Sequence, residues 1–105
     1  MSGPHTFRVG LVGAGYVSEF HFRALERLPQ VRVTGITDVD AGRAASRARE
    51  FGIPSFASLA DLCAAGVDVV HVMTPPDTHV AVAIEAMERG ADVLIEKPLA
   101  TSVED

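Results

Sequence analysis

Two hydrophobic periods share this chain and alternate along it. From about Arg8 to Val12 a short apolar run predicts a strand. Behind Gly13-Ala14-Gly15, the positions Val17, Phe20, Ala24, Leu25 and Leu28 recur at helical spacing until Pro29 stops the helix. Val31 to Thr37 is rich in β-branched residues and predicts a second strand, with Asp38 at its end. Asp40 then caps a helix with an apolar face of Ala41, Ala44, Ala45, Ala48 and Phe51, closed by Gly52. Ser55-Phe56 reads as a short third strand, and Ser58 caps a short helix carrying Leu59, Leu62 and Cys63, ended by Gly66. Val67 to Met73 is a near-continuous apolar run, as a buried parallel strand requires, and Thr74-Pro75-Pro76 breaks it. Asp77 or Thr78 opens a further helix with Ala83, Ile84 and Met87 inward, terminated by Gly90. Val93-Leu94-Ile95 is the last strand, Glu96-Lys97-Pro98 follows it, and Ser102 with Glu104 and Asp105 begins another helix.

Strict alternation of strand and helix places the chain in the α/β class. The expected fold is a doubly wound parallel sheet with right-handed crossovers and helices on both faces. Ligands of such sheets bind outside the C-terminal ends of the strands, where the strand order reverses. Gly13-Ala14-Gly15, Asp38, Thr74-Pro75-Pro76 and Glu96-Lys97-Pro98 all follow strand ends, so four turns converge on one edge.

Length allows one domain: the chain has 105 residues, 48% apolar and 22% charged, an ordinary balance for a soluble globular protein. Residues 1–6 read as a loose end or an appended remnant. A formal net charge of −5 argues against nucleic acid or an anionic membrane as the main partner. No apolar run is long enough to span a bilayer and no signal-peptide segment opens the chain, so a cytoplasmic location is expected. The single cysteine, Cys63, allows no internal disulfide, and no His/Cys/Asp spacing suggests a metal. Of nine basic residues only Lys97 is a lysine. A lysine kept at one place fits a need that arginine cannot meet, such as giving up a proton, although a small count can arise by chance.

The glycine turn carries the first chemistry. The leading amides of a helix have no partner inside it and the helix dipole favours negative charge there. Gly13 permits the sharp turn and Gly15 lets a pyrophosphate approach the backbone, while an ordinary strand-to-helix turn would show the same residues. In the usual G-x-G-x-x-G the third glycine is replaced here by Ser18, at a position that needs only a small residue. Asp38 lies 25 residues after Gly13, near the spacing at which a carboxylate receives the adenosine ribose hydroxyls. It could also be a turn aspartate, but Asp40 is the better cap, which leaves Asp38 free. A carboxylate there repels a 2′-phosphate and favours NAD over NADP, and Arg43 nearby keeps NADP open.

The Gly13-x-Gly15 turn with His21 behind it, Thr74-Pro75-Pro76-Asp77-Thr78-His79 and Glu96-Lys97-Pro98-Leu99-Ala100 together resemble the N-terminal domain of the glucose–fructose oxidoreductase and inositol dehydrogenase (Gfo/Idh/MocA) family. The resemblance runs from about Arg8 to the end. It implies a Rossmann-type dinucleotide-binding domain over residues 7–105, cut before the family's second α/β domain. It also implies NAD(P)-dependent hydride transfer at a secondary alcohol or carbonyl of a sugar, polyol or similar compound. By the same resemblance the backbone from Gly13 through Tyr16 to Val17 cradles the pyrophosphate. Thr74 and Pro75 line the nicotinamide side, with His79 at the next helix start. Glu96 approaches the nicotinamide ribose, and Lys97 faces the substrate oxygen as the proton-transferring, catalytic residue. Both Lys97 and His79 also have blander readings, as a solvated lysine in a strand-end turn and a polar residue in a first helical turn.

Ser18 departs from the family pattern, as does Asp92, where the family often has histidine. His71 lies within a buried strand pattern and reads as a satisfied core histidine, while His21 could be packed or at the surface. With the family's second domain absent, the 105 residues alone are expected to turn nothing over. A homo-oligomer is expected of the parent, with the apolar last strand as a possible open edge. A rival expectation from another class is a non-catalytic nucleotide-binding or dimerising interaction module.

Overall fold

The computed structural model describes residues 6–74 and 76–95, with Tyr16, Pro76, Asp77 and His79 described in backbone only. Among the described residues five strands and four helices alternate: β1 (Phe7–Val12), α1 (Tyr16–Glu26), β2 (Val31–Thr37), α2 (Ala41–Phe51), β3 (Ser55–Phe56), α3 (Leu59–Ala64), β4 (Val69–Val72), α4 (Pro76–Glu88) and β5 (Asp92–Ile95). The strands form one sheet in the order β3-β2-β1-β4-β5, and every pairing is parallel. The order reverses at β1, whose neighbours are β2 and β4, so the glycine turn leaves the sheet at its switch point.

The helix ends follow from local chemistry. Asp40 accepts from the Arg43 amide at the start of α2, and Ser58 accepts from the Asp61 amide at the start of α3. Gly52 and Gly90 stop α2 and α4 with positive φ. Helix α4 opens at Pro76, a residue earlier than Asp77, because proline suits a first helical turn where its missing N–H costs nothing. The fourth strand is shorter than its apolar run, since only Val69–Val72 pairs on both sides.

Two cores lie on opposite faces of the sheet. Val9, Leu11 and Ile36 pack under α1 and α2 with Phe22, Ala44 and Phe51. On the other face Val12, Val70 and Val72 meet Leu59 and Leu62 of α3 and Ala86 of α4. Phe22 and Phe51 stack with centroids 4.1 Å apart and planes 7° from parallel, joining α1 to α2. At the N-terminal ends of the strands, Arg8 grips Asp68 with its backbone amide at 2.8 Å and its guanidinium at 3.1 and 3.2 Å.

The inward faces of two helices differ from expectation. Among the described side chains of α1 the buried ones are Ser18 and Phe22, whereas Val17 and Phe20, and Leu28 just beyond the helix, are exposed. The reason is the glycine turn: its closeness to β1 puts a small residue against the sheet at position 18, and this sets the rotation of the whole helix. In α4, Ala83 and Ala86 face the sheet and Ile84 and Met87 lie outward. Two alanines allow a close approach that larger residues would prevent.

A paired glycine trough completes the packing. Gly10 of β1 and Gly35 of β2 are cross-strand partners beside a register shift, and the fully buried Leu62 side chain lies over both. A Cβ on Gly35 would press into the Phe56 ring and lie 3.0 Å from a Leu62 methyl. Gly35→Ala is therefore expected to cost about 1–3 kcal/mol, and Leu62→Ala about 2–5 kcal/mol. The double variant should lose somewhat less than the sum, because removing the Leu62 side chain gives the methyl and the Phe56 ring room to shift. Urea unfolding of the three variants measures this, and strict additivity would contradict it.

Candidate functional site

The turn after β1 is held by its neighbours before any ligand arrives. The Gly13 N–H donates to Thr37 O at 2.9 Å, and the Ala14 N–H donates to Asp38 Oδ2 at 2.6 Å. Asp38 Oδ1 accepts from the Asp40 amide at 2.7 Å, and Arg43 Nη2 lies 3.3 and 3.5 Å from the two carboxylate oxygens. The Asp38 side chain is only 5% exposed. Asp38 is thus not left free by the capping role of Asp40, as the sequence suggested; it fastens the end of β2 to the turn. Burial pushes its carboxyl up, but the Asp40 and Ala14 amides and the Arg43 guanidinium outweigh that and hold it below the usual aspartate range.

The two glycines differ in what requires them. Gly13 has φ +109, and a Cβ there would lie 3.1 Å from the Met73 carbonyl carbon and 3.3 Å from the Thr74 amide nitrogen. Conformation and backbone contact both demand glycine at that position. Gly15 has an ordinary φ of −79, and nothing lies within 4 Å of a Cβ built on it. The fold places no steric demand on Gly15, and the space where its side chain would stand is open. Helix α1 also has no side-chain cap, unlike α2 and α3. An uncapped helix start beside a bare backbone suits an anion such as a pyrophosphate, so the residues present fit a dinucleotide.

Ser18 takes the third small position of the turn at 1% exposure, its hydroxyl donating to Gly15 O at 2.6 Å. Val17 stands at the helix start with an exposed side chain, and Tyr16 is described in backbone only. Thr74 sits at the end of β4 against the Gly13 turn, so three of the four expected turns meet at one edge. His79 lies in the first turn of α4, its side chain outside the description. Pro75, Glu96 and Lys97 lie outside the described residues, as does the expected helix start at Ser102. No helix among the described residues is long and apolar enough to cross a membrane.

Two features escaped the sequence. The rings of His21 on α1 and His71 on β4 meet edge to face with centroids 4.6 Å apart, and His71 is buried. Fifty residues separate them, and no local period reveals such a pair. Arg47 of α2 lies across the carbonyls of Ala14 and Gly15, with Nε and Nη2 each 3.4 Å away. Its four-residue spacing from Arg43 was the available clue, since both then share the helix face toward the turn. Ala14, Gly15, Arg43, Ser46, Arg47 and Glu50 line an open depression of about 260 Å³ there. Two arginine side chains, one carboxylate and the Ala14 and Gly15 carbonyls border that depression.

The two glycines separate stability from binding. Gly13→Ala should lose about 3 kcal/mol of stability. Gly15→Ala should shift stability by no more than about 1 kcal/mol while weakening NADH at least tenfold. Thermal melts and calorimetry on the same samples read both quantities, and a Gly15→Ala protein that binds NADH normally would contradict the role of that space.

Asp38 makes a prediction in acid. Because its folded-state value is depressed, the carboxylate contributes stability above its unfolded value of about pH 4, and that contribution is lost as pH falls through the lower folded value. Asp38→Asn should therefore cost about 2 kcal/mol at neutral pH and converge on the parent in acid. Denaturant melts from pH 7 downward test the convergence.

Known proteins agree with this geometry. The family described as "Oxidoreductase family, NAD-binding Rossmann fold" (GFO_IDH_MocA) matches residues 7–105. Inositol 2-dehydrogenase 3 of Saccharopolyspora erythraea is 42% identical over 102 residues, covering 95% of this chain and 30% of that protein. UDP-N-acetylglucosamine 3-dehydrogenase of Acidithiobacillus ferrooxidans is 39% identical over 98 residues, covering 93% and 30%. Among solved structures, WlbA dehydrogenase of Bordetella pertussis in complex with NADH and UDP-GlcNAcA superposes with a TM-score of 0.84 at 30% identity, over 94% of this chain and 29% of that one. The chain thus spans about 30% of the length of the curated relatives it matches. A glycine turn at the switch point of an all-parallel sheet, matched over residues 7–105, has one conclusion: the chain belongs to the Gfo/Idh/MocA oxidoreductase family, as its NAD-binding Rossmann domain.

Proposed function

We propose that this chain is the cofactor-binding part of an NAD-dependent oxidoreductase that acts on a secondary alcohol or carbonyl of a sugar, polyol or similar compound. The single observation that carries the reading is Gly15, a glycine that the fold does not require, at the uncapped start of α1. The Gly15, Tyr16 and Val17 amides would receive the pyrophosphate. Asp38, already held as a carboxylate, would meet the adenosine ribose hydroxyls and disfavour a 2′-phosphate, with Arg43 drawn onto it rather than left open. Thr74 and Pro75 would border the nicotinamide, with His79 at the adjoining helix start and Glu96 toward the nicotinamide ribose.

A bound nicotinamide supplies the hydride acceptor or donor. The chain's contribution to the reaction is Lys97, which would hold the proton of the substrate oxygen: taking it from an alcohol during oxidation and returning it to a carbonyl oxygen during reduction. A lysine amine can do this when partly desolvated, and a guanidinium cannot. The substrate class is supported by the relatives' names, which concern inositol and a UDP-sugar. The 105 residues alone would bind cofactor weakly and leave substrate unturned.

Calorimetric titration of the full-length protein with NADH and, separately, NADPH tests the cofactor reading. NADH should bind more tightly, and the absence of heat with either cofactor would defeat it. In the same protein Lys97→Met should lower turnover about 10²–10⁴-fold and leave NADH affinity within about threefold. Unchanged turnover would remove Lys97 from the chemistry.

A further inference from the structure

Arg47 is poorly explained as a surface ion pair. Its side chain is 19% exposed, and Nη1 alone serves the carboxylates, 2.8 Å from Glu50 and 3.8 Å from Glu19. Nε and Nη2 are directed elsewhere, to Ala14 O and Gly15 O at 3.4 Å each. The guanidinium carbon stands 5.9 Å from the centre of the Phe51 ring, so the stem is seated as well. One planar fork thus joins α2 to two consecutive peptide groups of the glycine turn.

These two peptides are the ones that matter for an anion. The described chain has no cis peptide, so each carbonyl is opposed to the N–H of the next residue across a planar group. A donor holding Ala14 O fixes the direction of the Gly15 N–H, and one holding Gly15 O fixes that of the Tyr16 N–H. Gly15 O is further anchored by the Ser18 amide at 3.0 Å and the Ser18 hydroxyl at 2.6 Å. A cation on the carbonyl side also polarises each peptide, which makes the opposed N–H a better donor. Direct phosphate contact is not needed for this effect, and the two glutamates already occupy the outer edge of the guanidinium.

We infer that Arg47 is a positioning residue for the pyrophosphate, fixing and polarising the Gly15 and Tyr16 peptides from behind the turn. The inference rests on the reading that this turn holds the dinucleotide, and it goes beyond that reading by assigning α2 a part in cofactor affinity.

The test is calorimetric titration of the full-length protein with NADH, together with thermal melts with and without NADH. Arg47→Met keeps most of the stem over Phe51 and removes the fork. Its NADH dissociation constant should rise about fivefold or more, and the stabilisation gained on adding NADH should shrink. Arg47→Lys, with a point charge in place of the fork, should fall between the two. A merely structural arginine predicts otherwise: a lower melting temperature without ligand, but an unchanged dissociation constant. Should Arg47→Met not fold, Arg47→Gln keeps one amide donor and should bind about threefold more weakly. A constant within twofold of the parent in whichever variant folds overturns the assignment while leaving the cofactor reading intact. Failure of the parent itself to bind NADH overturns both.

Discussion

A carboxylate tied to a backbone amide governs this domain. Asp38 Oδ2 and the Ala14 N–H are 2.6 Å apart, and the bond joins the end of β2 to the turn that leaves β1. Beside it the Gly13 amide meets Thr37 O. A strand-to-helix turn with free amides would be mobile, and one with every amide consumed could not bind an anion. Two amides are spent here on fastening the turn, while the following helix start carries no side-chain cap. The division is preorganisation: the protein orders its own backbone in advance, so the ligand need not.

The same economy explains the charge distribution. The chain is acidic overall, with a formal charge of −5, yet Arg43 and Arg47 both face the turn from α2. Neither is a loose cation. Arg43 lies on Asp38, and Arg47 lies between two carbonyls and two glutamates. Positive charge beside the turn is thus drawn onto a carboxylate and onto backbone carbonyls.

Much of the fold was legible because its punctuation is local. Asp40, Ser58, Gly52 and Gly90 act on the amides and dihedrals within a few residues of themselves, so helix boundaries followed from them. The parallel sheet followed from the alternation of elements, whereas its order β3-β2-β1-β4-β5 is a matter of which strands pair. What stayed hidden depends on contacts between elements. The periodic apolar residues Val17 and Phe20 suggested one face of α1, but closeness to the sheet at Ser18 turned another face inward. The Gly10–Gly35 trough could have been suspected from glycines inside strand patterns, though only the register makes them partners. Asp38 was placed correctly at the strand end, yet its bond to Ala14 required knowing how near that end lies to the turn.

The Phe22–Phe51 stack has a mechanical meaning. Both α1 and α2 start at the cofactor edge of the sheet and run back along it, and the two rings join them some way down their lengths, with Arg23 placed against the Phe22 ring and Arg47 against the Phe51 ring. The stack fixes how α1 and α2 lie against each other behind the turn, while the Asp38–Ala14 bond ties the turn itself. The aromatic pair is thus a brace: it holds two helices together at a point where neither touches the glycine turn.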